Sequence, residues 1–369
     1  MSAVAAVPRR WRSRTRDARA GYTARMNAPR VAVGPFPSDF ATDAVRAGGG
    51  TVVELSDGPD SLVWLDPGDV DGLTAWLAEV PTARWVQLPF AGVERVADAG
   101  LLDDERIWTC AKGAYAEPVA EHALALALAG LRYLPVRVEA RSWGIPAGTS
   151  LYDQPVTIVG GGGIATSLLE QLAPFRVDAT VVRRRPEPMA GAARVLPVES
   201  LHEALSGALV VVLALSLTPE TTGIIGADEL ARIGESSWLV NVARGRHVVT
   251  DALVEALDAD SIGGAALDVT DPEPLPDGHP LWGRQNCIIT PHTADTIEMV
   301  VPLLAARIRT NVERLVAGEP WWARWTPPPA TEPWRGRRPG CSGSRSPGWP
   351  PGRPCARPAS RACGGAGAR

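Results

Sequence analysis

The sequence predicts an α/β fold in which parallel sheets are covered by helices on both faces. Three observations carry that prediction. Short apolar, β-branched runs alternate with helical patterns along the chain, which is how strands buried on both faces read. A glycine-rich turn at 160–165 stands between one such run and a helical segment. The chain has 369 residues, enough for two ordinary domains.

In chain order, the run at 31–34 reads as the first buried strand, followed by strand-like runs at 51–55, 61–64 and 85–88. A helix is predicted over 117–134. Pro118 falls in its first turn, where the missing N–H costs nothing, and a long Ala/Leu run follows. Further strands are predicted at 155–159, 179–182, 210–215, 238–242 and 265–269, and a strand end before His292. Hydrophobic residues make up 45% and charged residues 21%, a globular composition, and the formal net charge of -4 gives no reason to expect nucleic acid. The longest apolar run, 208–217, is too short to span a bilayer, which needs about 20 residues. No membrane or nucleic-acid partner is therefore expected.

Both ends depart from this pattern. Residues 1–25 are arginine-rich with Asp17 as their only acid; they read either as a transit-type leader or as a disordered or mis-called start, with Met26 the true one. Residues 320–369 read as a disordered or frameshifted tail. The stretch 331–369 is Gly, Pro, Arg, Ser and Cys with Glu332 as its only acid, too poor in apolar residues for a core. Three of the five cysteines lie there, and none of the five has a zinc-like spacing, so no metal site is expected. Cys110 and Cys287 read as ordinary buried thiols of a reducing, cytoplasmic protein.

The chemistry-bearing residues follow the sheet logic. The run Val-Thr-Ile-Val at 156–159 leads into Gly160, Gly162, Gly163 and Ile164, a G-x-G-x-x-A pattern ending at Ala165. The first glycine permits a tight turn and the second lets backbone approach a pyrophosphate. The free N–H groups of the helix that follows then face the anion. At the end of the next strand, where a ribose-gripping acid is expected, stand Arg183, Arg184 and Arg185, with Asp178 at the wrong end. Arginines there suit a 2′-phosphate, which favours NADP over NAD; a solvated, arginine-rich loop is the plainer reading.

Downstream come three pieces in order: Asn-Val-Ala-Arg-Gly at 241–245, Asp-Pro-Glu-Pro at 271–274 and Pro-His-Thr at 291–293. Arg244, just beyond a strand's C-terminal edge, suits a substrate carboxylate held by two parallel hydrogen bonds. Glu273 lies in a proline-flanked loop, and His292 follows another strand. A carboxylate beside an imidazole favours its protonated form, and such a pair can give a proton to a carbonyl oxygen as hydride arrives. Asp268 would accept from a nicotinamide amide or serve as a turn residue. His122 is expected to pack or cap, and His202, His247 and His279 show no partner pattern.

These pieces resemble the D-isomer-specific 2-hydroxyacid dehydrogenases, which include phosphoglycerate dehydrogenase and the glyoxylate/hydroxypyruvate reductases. The likeness covers roughly 28–319. It includes Val-Ala-Glu-His-Ala-Leu at 119–124 and Leu-Thr-Pro-Glu-Thr-Thr-Gly at 217–223, the loop of Thr218. It also includes Ala-Leu-Asp-Val at 266–269, Glu-Pro-Leu at 273–275, His-Pro-Leu-Trp at 279–282 and Thr-Pro-His at 290–292. The resemblance implies two Rossmann-like doubly wound domains. A discontinuous substrate domain would take 26–119 plus 295–319, and a dinucleotide domain 120–294. It implies that Arg244 binds the substrate carboxylate together with the loop of Ala91 and Gly92, that His292 is the acid/base with Glu273 as partner, and that Asp268 meets the nicotinamide. It also implies that Thr218 lies at the cofactor and that the protein is a homodimer joined through the cofactor domain. The reaction implied is hydride transfer between NAD(P) and a small 2-oxo or 2-hydroxy acid. Two other readings stand: phosphoglycerate oxidation, for which Arg84, Arg95 and Lys112 would face a phosphate, and a non-enzymatic dinucleotide-sensing corepressor.

Overall fold

The structure is a computed structural model and describes residues 28–325. The expectations for residues 1–25 and for most of the tail lie outside the described residues.

Two all-parallel sheets organise the chain. The first is built from β1 (Arg30–Gly34), β2 (Thr51–Val52), β3 (Ser61–Trp64), β4 (Trp85–Gln87) and β5 (Ile107–Thr109) in the order β2-β1-β3-β4-β5. Helices α1 (Asp39–Ala47), α2 (Val70–Glu79) and α3 (Glu94–Asp98) make its early crossovers. Then α4 (Ala116–Leu131) and the short α5 (Leu134–Glu139) lead to the second sheet. Its strands are β6 (Pro155–Val159), β7 (Asp178–Val182), β8 (Arg194–Leu196), β9 (Val210–Leu213), β10 (Trp238–Asn241), β11 (Gly264–Leu267) and β12 (Cys287–Ile289). They lie in the order β12-β11-β10-β9-β6-β7-β8. The connecting helices are α6 (Gly163–Leu172), α7 (Leu201–Leu205), α8 (Ala227–Ile233) and α9 (Thr250–Asp258). The first order is that of flavodoxin-like sheets and the second that of dinucleotide-binding sheets, so the predicted α/β class with two doubly wound sheets is what the chain forms.

Burial explains why the strands read so clearly. Every residue of β3, β4, β9, β10 and β11 is buried, so each is a continuous apolar run with few polar exceptions. Two strands escape the sequence reading, β5 and β8, each three residues long. The run at 51–55 is strand only at Thr51–Val52, and its end turns into a single 3₁₀ turn at Leu55–Asp57.

The last helix, α10 (Ile297–Ala317), returns to the first sheet. Val312 packs against Gly48, just after α1, and Asn311 donates to the buried Gln87 carboxamide on β4 at 2.8 Å. Gln87 also accepts from Thr109, which accepts from the Trp85 indole, so a buried polar relay fastens the helix to the sheet. The expected end near Glu319 falls short. Trp321 stacks on Trp85 with ring centroids 5.1 Å apart, and residues 323–325 pair with the β5 edge through Cys110 N–H to Ala323 O and Trp325 N–H to Trp108 O. The chain also crosses between sheets slightly before the expected boundary at 119, because α4 packs on the second sheet from its first turn, with Ala116 against Gly163. Both sheets belong to one compact unit. No helix among the described residues is long and apolar enough to cross a membrane.

Candidate active site

The glycine turn sits where β6 has neighbours whose connections run in opposite directions, β7 on one side and β9 on the other. That is the point at which open α/β sheets bind ligands. Gly160 has φ +119, and a side chain there would strike the Ala214 carbonyl at the end of β9, so only glycine serves. Gly162 is the N-cap of α6; no side chain caps the helix, and the space where its Cβ would be is open. The first N–H groups of α6, including those of Gly163 and Ile164, are thereby left to an outside acceptor. This cradle fits the pyrophosphate of a dinucleotide.

Arg183 follows β7, and its aliphatic stem and Nε lie against Gly161, over the turn. Arg184 and Arg185 are exposed. The Glu220 carboxyl is held below the usual carboxylate range first by a hydrogen bond from Thr218 and, further down, by the charge of Arg184.

Arg244 lies three residues beyond β10. Asn241 fixes this bend, accepting Ala243 N–H at 3.1 Å and donating to Arg244 O at 2.9 Å. A side chain on Gly92 would collide with the Arg244 guanidinium, so the loop of Ala91 and Gly92, after β4 of the first sheet, faces Arg244 across the cleft. Gly245 packs on the Thr270 backbone, where any Cβ would clash, which brings the loop of Glu273 against the turn of Arg244.

His292 Nδ1 lies 2.7 Å from Glu273 Oε1, and both side chains are 43% exposed. The imidazole is aimed by a left-handed backbone, φ 54, with its N–H donating to Asp268 O at 2.8 Å. Asp268 is 1% exposed and accepts from Thr290 Oγ1 at 2.6 Å, Thr293 N–H at 2.9 Å and Ala294 N–H at 3.1 Å. His122 Nε2 of α4 sits 3.3 Å from the same carboxylate. Burial alone would raise the Asp268 carboxyl; the donors from His122, Thr290, Thr293 and Ala294 outweigh it and hold the group below its ordinary value. The structure thus shows Asp268 as the anchor of the His292 loop.

The sequence reading missed four groups here. His122, expected only to pack or cap, pairs with Asp268. His247, which carried no partner pattern, is fully buried behind Arg244, with Nδ1 3.2 Å from the Arg244 N–H nitrogen. Glu94 comes close to the same point as the Arg244 guanidinium, beside Gly92. Asp295 lies in the field of His292, Asp268 and Arg244, and burial pushes its carboxyl up. His202, also read as unpartnered, bonds Glu229 of α8 at 2.7 Å. Nothing in the sequence marks these pairs, because their members lie on separate elements.

A dinucleotide turn on one sheet, an arginine facing a loop of the other, and a histidine–glutamate pair whose loop packs against the arginine's turn are the parts of an NAD(P)-dependent oxidoreductase acting on CH–OH groups. The family model of the D-isomer specific 2-hydroxyacid dehydrogenase, NAD binding domain, matches residues 122–294. The chain belongs to the D-isomer-specific 2-hydroxyacid dehydrogenases. An uncharacterised protein of Corynebacterium melassecola is 40% identical over 242 residues, 64% of this chain and 80% of the relative. The glyoxylate reductase/hydroxypyruvate reductase of Homo sapiens is 32% identical, over 55% of this chain and 65% of its own length. The chain thus spans just under two thirds of that named reductase. Among solved structures, a D-isomer specific 2-hydroxyacid dehydrogenase from Xanthobacter autotrophicus Py2, in complex with NADPH and MES, is 27% identical with a TM-score of 0.70. It covers 82% of this chain and 99% of its own.

Proposed function

We propose that the protein is a D-stereospecific reductase of small 2-oxo acids that uses NADPH in preference to NADH. The observation that carries this is the approach of Arg244 to the Ala91–Gly92 loop together with the His292–Glu273 pair, whose loop packs against the turn of Arg244. Arg244 and the backbone N–H groups of Ala91 and Gly92 take the substrate carboxylate, which fixes the adjacent carbonyl. Glu273 occupies Nδ1 of His292 and leaves Nε2 to give its proton to the carbonyl oxygen. In the reverse direction the neutral imidazole accepts that proton. The bound nicotinamide supplies or receives the hydride. The turn of Gly160, Gly162, Gly163 and Ile164 holds its pyrophosphate, Thr218 lies beside it, and Asp268 stands behind the His292 loop, where its remaining lone pair is available to the carboxamide.

NADPH is favoured because no carboxylate stands at the C-terminal end of β7, whereas Arg183 and Arg184 do. The NADPH bound to the Xanthobacter autotrophicus relative supports the same reading. Replacing both arginines with alanine should weaken NADPH about tenfold or more and leave NADH nearly unchanged; an unchanged preference sinks the NADP assignment. We further propose a homodimer joined through the second sheet's lobe, working in the cytoplasm, where the buried free thiols of Cys110 and Cys287 would stay reduced. The test of the whole reading is a panel of 2-oxo acids, glyoxylate and hydroxypyruvate among them, against both reduced cofactors. Turnover with NADPH and formation of the D-hydroxy acid are expected. Oxidation of neither cofactor by any member of the panel would overturn it.

A further inference from the structure

Of the 37 Lys and Arg residues of the sequence, Lys112 is the only lysine. It lies in the segment between β5 and α4, where the chain passes from the first sheet to the second. Its surroundings bear on the cofactor turn. Gly113, the next residue, has its Cα 3.3 Å from the point where a Cβ on Gly163 would lie, and Ala116 approaches the same point to 3.2 Å. Lys112 is thus one Cα–Cα step, about 3.8 Å, from backbone that touches the N-terminal turn of α6. The loop belongs to the opposite sheet from that turn, so a group on it meets the turn from across the cleft.

The backbone under Lys112 is fixed. Arg307 of α10 is 6% exposed, and its Nη1 donates to Cys110 O at 3.0 Å and to Lys112 O at 3.0 Å. The same guanidinium lies 5.2 Å from the centroid of the Trp322 ring, so the loop is tied to both α10 and the segment after it. The Lys112 side chain itself is exposed, and among the described residues its ammonium forms no ion pair. An ammonium on a flexible four-carbon stem is a mobile point charge, suited to an anion that arrives and leaves.

We propose that Lys112 is a pyrophosphate-binding residue contributed by the first sheet, which meets the cofactor held at the Gly160–Ile164 turn and so ties the two lobes together when the cofactor is bound. This rests on that turn being the dinucleotide site. It differs from the role of Arg183 and Arg184, because a pyrophosphate is common to NADPH and NADH whereas the 2′-phosphate is not. The substrate's own phosphate, the alternative reading of Lys112, predicts an effect on substrate alone.

Calorimetric titration of the full-length protein with NADPH, NADH, ADP-ribose and AMP, without substrate, tests the proposal. In Lys112→Met both dinucleotides and ADP-ribose should bind roughly five- to twentyfold more weakly, while AMP, which lacks the pyrophosphate, binds as before. Lys112→Arg should restore most of the affinity. The losses should shrink as salt is raised, since the wild-type contact is electrostatic. Unchanged dinucleotide binding in Lys112→Met overturns the proposal and leaves the cofactor site standing, as does a rise confined to the KM of the 2-oxo acid. A wild-type protein that binds neither dinucleotide overturns both. Thermal midpoints within about a degree of wild type, expected for an exposed residue, separate lost binding from lost folding; a large drop assigns Lys112 a structural role instead.

Discussion

His292 is held in a backbone conformation that few residues other than glycine adopt, and the surroundings over-determine it. Its N–H is taken by Asp268 O, and the N–H groups of Thr293 and Ala294 are taken by the Asp268 carboxylate. The imidazole is therefore aimed before any ligand arrives. Replacing His292 with alanine should lower kcat about 10²- to 10⁴-fold and leave NADPH affinity close to wild type; equal loss of cofactor binding would make the residue structural. The aspartate adds a pH term. Its carboxyl is depressed in the fold, so its contribution to stability is present above the ordinary carboxylate range and is lost as pH falls through the depressed value. Asp268→Asn should flatten the acid side of the stability profile, read as thermal midpoint against pH; a profile that keeps the wild-type slope refutes this. At this scale the pairing of His292 with Glu273 was legible, because a histidine after a strand and a carboxylate in a proline-flanked loop read as partners. The partnership of Asp268 with His122 was not, because it joins a strand end to a helix far back in the chain.

At the scale of elements, the single turn Gly245–His247 shows how a short piece can set a site. Gly245 lets it touch the Thr270 backbone, and His247 accepts the Arg244 N–H from behind. Among the described residues the buried Nε2 atom of His247 makes no well-formed hydrogen bond, and burial, outweighing the backbone groups of Ser216 and Arg244 beside the ring, lowers its pKa from an ordinary 6.5. A base kept neutral by the fold contributes its full stability above about 6.5 and loses it as pH falls below that toward the depressed value. His247→Leu should remove this acid sensitivity and strip the Arg244 N–H of its acceptor, at a cost of about 1–3 kcal/mol. The KM of the 2-oxo acid should rise while NADPH affinity holds. His247→Asn, whose carboxamide oxygen stands near the place of Nδ1, should recover much of the KM. If both variants match wild type in KM, the residue merely fills space. The strands β5 and β8 escaped the sequence reading for a related reason. Their place comes from the neighbour each pairs with, which the sequence does not display.

The whole molecule was legible in its alternation, a pattern that repeats over many residues, whereas the return of the last helix was expected only from the family resemblance. Its outer surface is a different matter. Between α4 and β6 the chain leaves the body. Val138 is 80% exposed, Trp143 95% and Ile145 82%, an apolar arm on a lobe whose other large side chains are mostly buried. Leaving such groups in water is unfavourable by about 25 cal/mol per Å² of apolar surface, and three large apolar side chains this exposed within eight residues suit a contact surface. A second copy is the occupant that the proposed dimer through this lobe supplies, and a two-fold interface would let each arm lie on its partner. Light scattering after size exclusion should give twice the mass of one chain for the wild-type protein. The double substitution Trp143→Glu and Ile145→Glu puts two charges into the contact, and it should give a single chain that still binds NADPH, because the arm lies away from the Gly160 turn in sequence and carries none of its ligands. A wild-type monomer would refute the dimer, and a charged variant that stays dimeric would place the interface elsewhere. A variant that is monomeric and also loses NADPH would show that the second lobe needs its partner to hold the cofactor turn in shape.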